Sequence, residues 1–189
     1  MWSYFRVPVY HIVTEKHQFF LPNCQLLTSL SALALKWFES YLTGRSQHVS
    51  VNNQHSSALN LCTGVPQGSI LGPLLFSLYI NDLPSVCPDI KTQMYADDTV
   101  VYVHAKTKHL AAAQLTKAMN QITNWLNSSC LQLNVNKTVG MFFTKRQCNI
   151  VSNIIISGQN ISIVPPFKYL GVIIDSNLSF KAHIKKSVQ

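Results

Sequence analysis

From Lys106 to Ser129 the chain carries its most regular pattern. Leu115, Ala118, Met119, Ile122, Trp125 and Leu126 recur at three- and four-residue spacings with polar residues opposite them. That period predicts one long helix packing a single apolar face against a core. Just upstream, Met94 to Val103 is rich in β-formers on either side of Asp97-Asp98 and predicts two short strands around a turn. Strands mixed with crossing helices predict an α+β fold.

The rest of the chain is read the same way. Leu30, Leu33, Trp37, Phe38 and Tyr41 predict a helix over Leu26–Leu42, stopped by Gly44. Val49, Val51, Leu59 and Leu61 alternate around the polar stretch Asn52–Ser57, the pattern of a β-hairpin. Gly64 to Ser69 is a tight loop, and the apolar run Ile70–Leu83 reads as a helix with Pro73 in its first turn. Pro84–Lys91 reads as a loop. Leu131–Phe143 holds a turn at Asn134-Val135-Asn136 and then a strand. Ile154–Ile163 is a second hairpin around Ser157–Asn160, Tyr169–Ile174 is a last strand, and 176–189 trails off basic. Residues 1–25, broken by Pro8 and Pro22, show no clean period and fit a strand pair or sequence without native context.

Charge is sparse and lopsided, with 15 Lys and Arg against 7 Asp and Glu, which favours a polyanionic partner. The five cysteines, Cys24, Cys62, Cys87, Cys130 and Cys148, are odd in number and include no C-x-x-C pair. That argues against a zinc site or a disulfide framework and for reduced thiols in the cytosol or nucleus. Residues 1–14 lack an apolar core followed by a cleavage site, so secretion is not expected. The apolar run Ile70–Ile80 is too short to span a bilayer, so no membrane partner is expected.

Asp97 and Asp98 are adjacent carboxylates at a turn. Two like charges this close are costly unless a cation neutralises them, and Mg²⁺ takes hard oxygen ligands while leaving room for phosphates. A lone Asp-Asp pair also fits an ordinary solvated turn. Its context here is Tyr95-Ala96-Asp97-Asp98, preceded by Gly64-Val65-Pro66-Gln67-Gly68-Ser69 and Ile70-Leu71-Gly72-Pro73-Leu74-Leu75-Phe76. Together these resemble the catalytic palm of a reverse transcriptase of the non-LTR (LINE-type) retrotransposons, and the resemblance covers about residues 27–185. Trp37-Phe38 to Tyr41-Leu42 with Gly44-Arg45-Ser46-Gln47, then Leu133 to Thr138, and Phe167 to Val172 follow in the family's order.

The resemblance implies a partial polymerase palm: a ferredoxin-like antiparallel sheet with helices on one face, plus a C-terminal hairpin. It divides the chain into an undefined segment 1–25, a palm fragment 26–175 and a basic tail 176–189 that would begin a thumb. It implies RNA-directed DNA polymerisation, with Asp97 and Asp98 as catalytic metal ligands for Mg²⁺ (Mn²⁺ as a substitute). Gly64, Pro66, Gln67, Gly68, Ser69, Tyr95 and Lys137 would contact template or nucleotide. Lys168, Tyr169, Leu170 and Gly171 would grip the primer. The implied partners are an RNA template, a DNA primer and a dNTP. Lys137 would donate a proton to pyrophosphate or neutralise it, although a surface turn lysine also fits. Asp82 reads as a structural or capping residue.

One part of the family pattern has no match. The third metal-binding Asp, with its Lys-Ala-Phe-Asp run, does not occur in residues 1–36, and the only acidic residues before Asp82 are Glu15 and Glu39. There is also no length for the fingers. The expectation is a palm remnant that does not polymerise by itself. The alternative is a non-catalytic module that binds nucleic acid or protein, and a third possibility is a remnant that leaves apolar surface exposed.

Overall fold

The computed structural model describes residues 30–61, 64–65, 68–144 and 154–188, together with the backbone of 2–11. In chain order the elements are β1 (Trp2–His11), α1 (Ala32–Leu42), β2 (Arg45–Gln47), β3 (Ser50–Val51), β4 (Gln54–His55), β5 (Leu59–Leu61) and α2 (Leu71–Tyr79). A 3₁₀ turn (Leu83–Val86) leads to β6 (Lys91–Tyr95), β7 (Asp98–His104), α3 (Lys108–Ser128) and β8 (Leu131–Leu133). A second 3₁₀ turn (Val135–Lys137) precedes β9 (Val139–Phe143), β10 (Ile155–Ile156), β11 (Gln159–Asn160), β12 (Ser162–Ile163), β13 (Phe167–Tyr169), β14 (Val172–Ile174) and α4 (Lys181–Ser187). The fold is mixed α+β, as a partial palm requires.

Two compact units form. One comprises Met1–Tyr10, Leu83–Asn127 and Gln132–Gln189; the other comprises His11–Asp82 and Ser128–Leu131. The first unit is built on a six-stranded sheet in the order β12-β9-β1-β7-β6, with β8 also pairing β1. The sheet is not wholly antiparallel: β12 runs parallel to β9, with Ser162 opposite Val139. That departs from the expected antiparallel sheet. After the β10–β11 hairpin the chain continues through Ile161 straight into β12, so β12 enters the sheet in the direction β9 runs. Strand β7 is buried on both sides, since Val100 and the next residue, Val101, are both inaccessible and successive side chains point to opposite faces.

Helix α3 forms where its period predicted. Leu115, Met119, Ile122 and Leu126 are fully buried, each adding about 1.5–3 kcal/mol by leaving water. Ala111, Ala112 and Ala118 continue the buried stripe, and Trp125 sits at its margin. The Cys87 thiol locks the helix to the segment before β6. It donates to the Gln121 side-chain oxygen at 3.0 Å, and burial, followed by Asp89, raises its pKa.

Several local expectations are revised. The described part of the first helix begins at Ala32, behind Ser31, whose hydroxyl accepts from the Ala34 N–H at 3.3 Å. Helix α2 ends at Tyr79 rather than Leu83, and the chain re-forms as the 3₁₀ turn, because Pro84 has no N–H to carry a helix onward. The expected hairpin over Val49–Leu61 becomes two nested pairs. Strands β3 and β4 meet at an Asn52-Asn53 turn with both φ positive (49° and 61°), and β2 pairs β5 outside them. Val49, Val51 and Leu59 are more than 60% exposed, so their alternation does not mark a buried face. The basic tail contains a short helix, α4, against β14. Trp2–His11 is one continuous strand, and the rest of segment 1–25 lies outside the described residues.

Candidate active site

Strands β6 and β7 pair in register with Tyr95 opposite Asp98, leaving Ala96 and Asp97 as a two-residue turn. Such turns need a positive φ at their first central position, and Ala96 provides it at 50°. Asp97 is therefore carried on the exposed tip, and Asp98, half-buried, starts the strand beside it. Tyr95, 64% exposed, completes the group across the ladder. One residue behind Asp98, the Thr99 hydroxyl is buried and has no hydrogen-bond partner among the described residues.

The sheet register brings Lys137 to the same end. Arg6 lies opposite Val100 on one side of β1 and opposite Val139 on the other. Val139, which starts β9, is thus level with Val100, the third residue of β7, with one strand between them, about 10 Å apart. Asp98 lies two residues before Val100, and Lys137 lies two residues before Val139. The local turn is held by Asn134, whose side-chain oxygen accepts from the Lys137 N–H at 3.1 Å. Its carbonyl also accepts from the Thr138 hydroxyl at 2.8 Å. The exposed ammonium of Lys137 therefore faces solvent at the end of the sheet that bears the carboxylates.

Strand β1 fills the position next to β7, with Pro8 opposite Asp98 and Val7 opposite Thr99. Its sequence, WSYFRVPVYH, contains no Asp or Glu. Among the described residues no cluster of three or more His, Cys, Asp or Glu side chains is arranged to hold a metal ion. Glu15 lies outside the described residues. Asp97 and Asp98 fit a single Mg²⁺ held jointly with substrate phosphates, the usual way this ion is bound by one or two carboxylates.

The glycine loop belongs to the other unit. Gly64 and Gly68 take φ values of +83° and +80°, yet a Cβ built on either meets nothing within 4 Å. Both glycines hold a left-handed backbone, and the space where a Cβ would stand is open. The Ser69 hydroxyl accepts from the Gly72 N–H at 3.0 Å and so caps the start of α2. Pro66 and Gln67 lie outside the described residues. Asp82 is exposed in the turn after α2.

Lys168, Tyr169, Leu170 and Gly171 form the β13–β14 hairpin, with Lys168 opposite Ile173 and Tyr169 opposite Val172. Its turn residues, Leu170 and Gly171, both have positive φ (44° and 88°), and Leu170 is 48% exposed. A leucine in that conformation is strained where Asn or Gly would not be. Beyond the hairpin Asp175 organises the approach to α4. Its carboxylate accepts from the backbone N–H groups of Asn177, Ser179 and Phe180 and from the Ser179 hydroxyl. Those bonds, the Ser179 N–H first, hold its pKa below the ordinary carboxylate value.

Sequence reasoning missed two features of the site. One is the place of β1: residues 1–25 fitted a strand pair, but nothing in them gave the pairing of Trp2–His11 with β7 and β9. The other is the left-handed Ala96, for which an alanine gives no cue.

Residues 3–174 match the family described as reverse transcriptase (RNA-dependent DNA polymerase). The chain is 34% identical over 155 residues to the RNA-directed DNA polymerase from mobile element jockey of Drosophila melanogaster, covering 77% of this chain and 17% of that protein. It is 30% identical over 164 residues to the jockey polymerase of Drosophila funebris, covering 82% of this chain and 18% of that protein. A Pol polyprotein from a type-1 retrotransposable element R1 of Nasonia vitripennis is 27% identical over 135 residues, covering 65% of this chain and 32% of that protein. The chain thus spans less than a fifth of the length of the jockey polymerases. No helix among the described residues is long and apolar enough to cross a membrane. With a family match across most of its length, relatives from non-LTR retrotransposons, and the Tyr95–Asp98 hairpin on an α+β sheet, the chain belongs to the reverse transcriptase family.

Proposed function

We propose that this chain is a portion of a retrotransposon reverse transcriptase palm that binds metal and nucleic acid but does not polymerise by itself. Asp97 and Asp98 would hold Mg²⁺, which would supply charge neutralisation for nucleotidyl transfer from a dNTP to a DNA primer on an RNA template. Lys137 neutralises the departing phosphates from the same end of the sheet. Gly64 to Ser69 and Tyr95 border the template and nucleotide, and Lys168 to Gly171 meet the primer end. The setting is the cytosol or nucleus, where the free thiols of Cys87 and Cys130 stay reduced.

The observation that carries the reading is the register of β1: the strand paired with Asp98 runs Trp2–His11 without a carboxylate. The test is primer extension on poly-rA primed with oligo-dT, in Mg²⁺ or Mn²⁺, beside an Asp97→Ala/Asp98→Ala control. No extension is expected from the folded, monodisperse chain. Mn²⁺ bound in the presence of dTTP, read by electron paramagnetic resonance, is expected to disappear in the control. Extension that the double substitution abolishes would overturn the inactivity, and Mn²⁺ binding unchanged by it would overturn the metal assignment.

A second reading, a nucleic-acid-binding module without metal dependence, is favoured by charge placement. Twelve of the fifteen Lys and Arg residues and four of the seven acidic residues fall in the unit built on the six-stranded sheet. Binding with a steep salt slope and no response to chelator would select this reading.

A further inference from the structure

Helix α1 has no buried residue, and its aromatic side chains are nevertheless arranged in a fixed column. Leu33, Trp37 and Tyr41 recur every four residues and lie along one side of the helix, and Arg45, the first residue of β2, comes back over its last turn. The Trp37 and Tyr41 rings stack with centroids 5.4 Å apart and planes 6° apart. The Arg45 guanidinium lies 5.2 Å from the Tyr41 ring centroid, and its Nη1 donates to the Tyr41 carbonyl oxygen at 3.0 Å. Phe38 meets Trp37 edge-on at 5.1 Å. Trp37 is held from two directions and remains 53% exposed, and Leu33, one turn earlier, is 80% exposed.

We infer that this column is a stacking site for the bases of single-stranded nucleic acid. A flat, exposed indole held by two neighbouring rings, one of them itself capped by a guanidinium, loses little freedom when another π-system lies on it. The charge around it suits a phosphodiester chain. Lys36 is exposed beside Trp37, and Arg45 closes the column. Glu39, the one carboxylate of α1, lies about 160° around the helix from Trp37 at 100° per residue. An apolar protein surface would need no guanidinium in the stack. Aromatic rings interleaved with Arg are what sequence-tolerant single-strand binding uses. The inference shares with the proposed function only that nucleic acid is a partner; it needs neither metal nor Asp97 and Asp98.

The test measures binding of a fluorescent 12-residue oligo-rA to the whole chain by anisotropy in EDTA. The variants are Trp37→Ala and Trp37→Phe, and a second probe has four central abasic sites. Loss of one stacked base predicts a Kd raised about 10- to 100-fold in Trp37→Ala. Trp37→Phe should stay within about fivefold of the native chain, because a ring remains. Binding measured in EDTA, with no divalent ion present, separates this site from the metal reading. The abasic probe should bind the native chain as weakly as oligo-rA binds Trp37→Ala. Circular dichroism checks that Trp37→Ala folds, and Trp37→Phe keeps the test valid if it does not. Equal affinity of native chain and Trp37→Ala, equal affinity for base-bearing and abasic probes, or no binding by the native chain would each overturn the inference. So would a Trp37→Ala effect confined to oligomeric state in sedimentation, which would assign the column to a second copy of the chain.

Discussion

Ala96 is the residue through which the backbone turns to present Asp97, and its conformation predicts a definite order of stability among substitutions. Its φ of 50° lies in the left-handed region, which costs an L-residue about 1–2 kcal/mol. The residue is exposed in a two-residue turn with Tyr95 opposite Asp98, so packing does not compete with the backbone effect. Asparagine tolerates that region through its short polar side chain, and Ala96→Asn should stabilise the fold by about 1 kcal/mol. Ala96→Gly removes the Cβ conflict, but its freer unfolded chain offsets about 0.4–1 kcal/mol, leaving a gain of about 0.5 kcal/mol. Ala96→Val adds a β-branched side chain, for which the region is an outlier, and should cost about 1 kcal/mol more than alanine. Urea unfolding followed by circular dichroism reads these differences. With a slope of about 1–3 kcal/mol/M, 1 kcal/mol moves the midpoint by about 0.3–1 M. The reasoning fails if valine melts with or above alanine, or if both asparagine and glycine lower the midpoint.

Three further outcomes are expected. Thr99→Val removes a buried hydroxyl that has no partner among the described residues while keeping the shape of the side chain, so the urea midpoint should rise by an amount equivalent to about 1 kcal/mol; a lower midpoint would show the hydroxyl to be satisfied. The Tyr79 hydroxyl donates to the Ser129 carbonyl oxygen, and burial, with Cys130 second, pushes its pKa up to about 12 from 10.0. The fold therefore favours the neutral phenol: this contribution is complete below pH 10 and is lost as pH rises to about 12. Tyr79→Phe should cost about 1–2 kcal/mol at neutral pH and unfold with a shallower pH dependence between 10 and 12; identical alkaline profiles would refute the assignment. For Asp175 the shift is downward, so its contribution is present above the ordinary carboxylate pKa of 3.8 and disappears as pH falls through the lower folded value. Acidification, or Asp175→Ala at neutral pH, should speed amide exchange at Ser179, Phe180 and the first turn of α4, and unchanged exchange would remove Asp175 from that role.

What was legible in the residues was whatever depends on near neighbours. The stripe from Leu115 to Leu126 specified α3 and its buried face, because a 3.6-residue period has one way to bury itself. Tyr95 to Val103 specified a strand, a turn and a strand, and with Gly64 to Ser69 it carried the family. The polar stretch Asn52–Ser57 marked a turn, and the structure narrows it to Asn52-Asn53, where both residues take a positive φ. The tertiary structure decided everything that rests on pairing between distant segments. Strand β1 borders β7, Pro8 falls opposite Asp98, and Lys137 reaches the carboxylate end of the sheet, all through ladders whose partners are about ninety or more residues apart in the chain. The alternation of Val49, Val51 and Leu59 promised a buried face that the fold leaves in solvent, because a period states which residues share a side and not whether anything covers it. Periodicity and motif thus determined the elements and the family, and register alone determined which side chains share the end of the sheet where Asp97 and Asp98 stand.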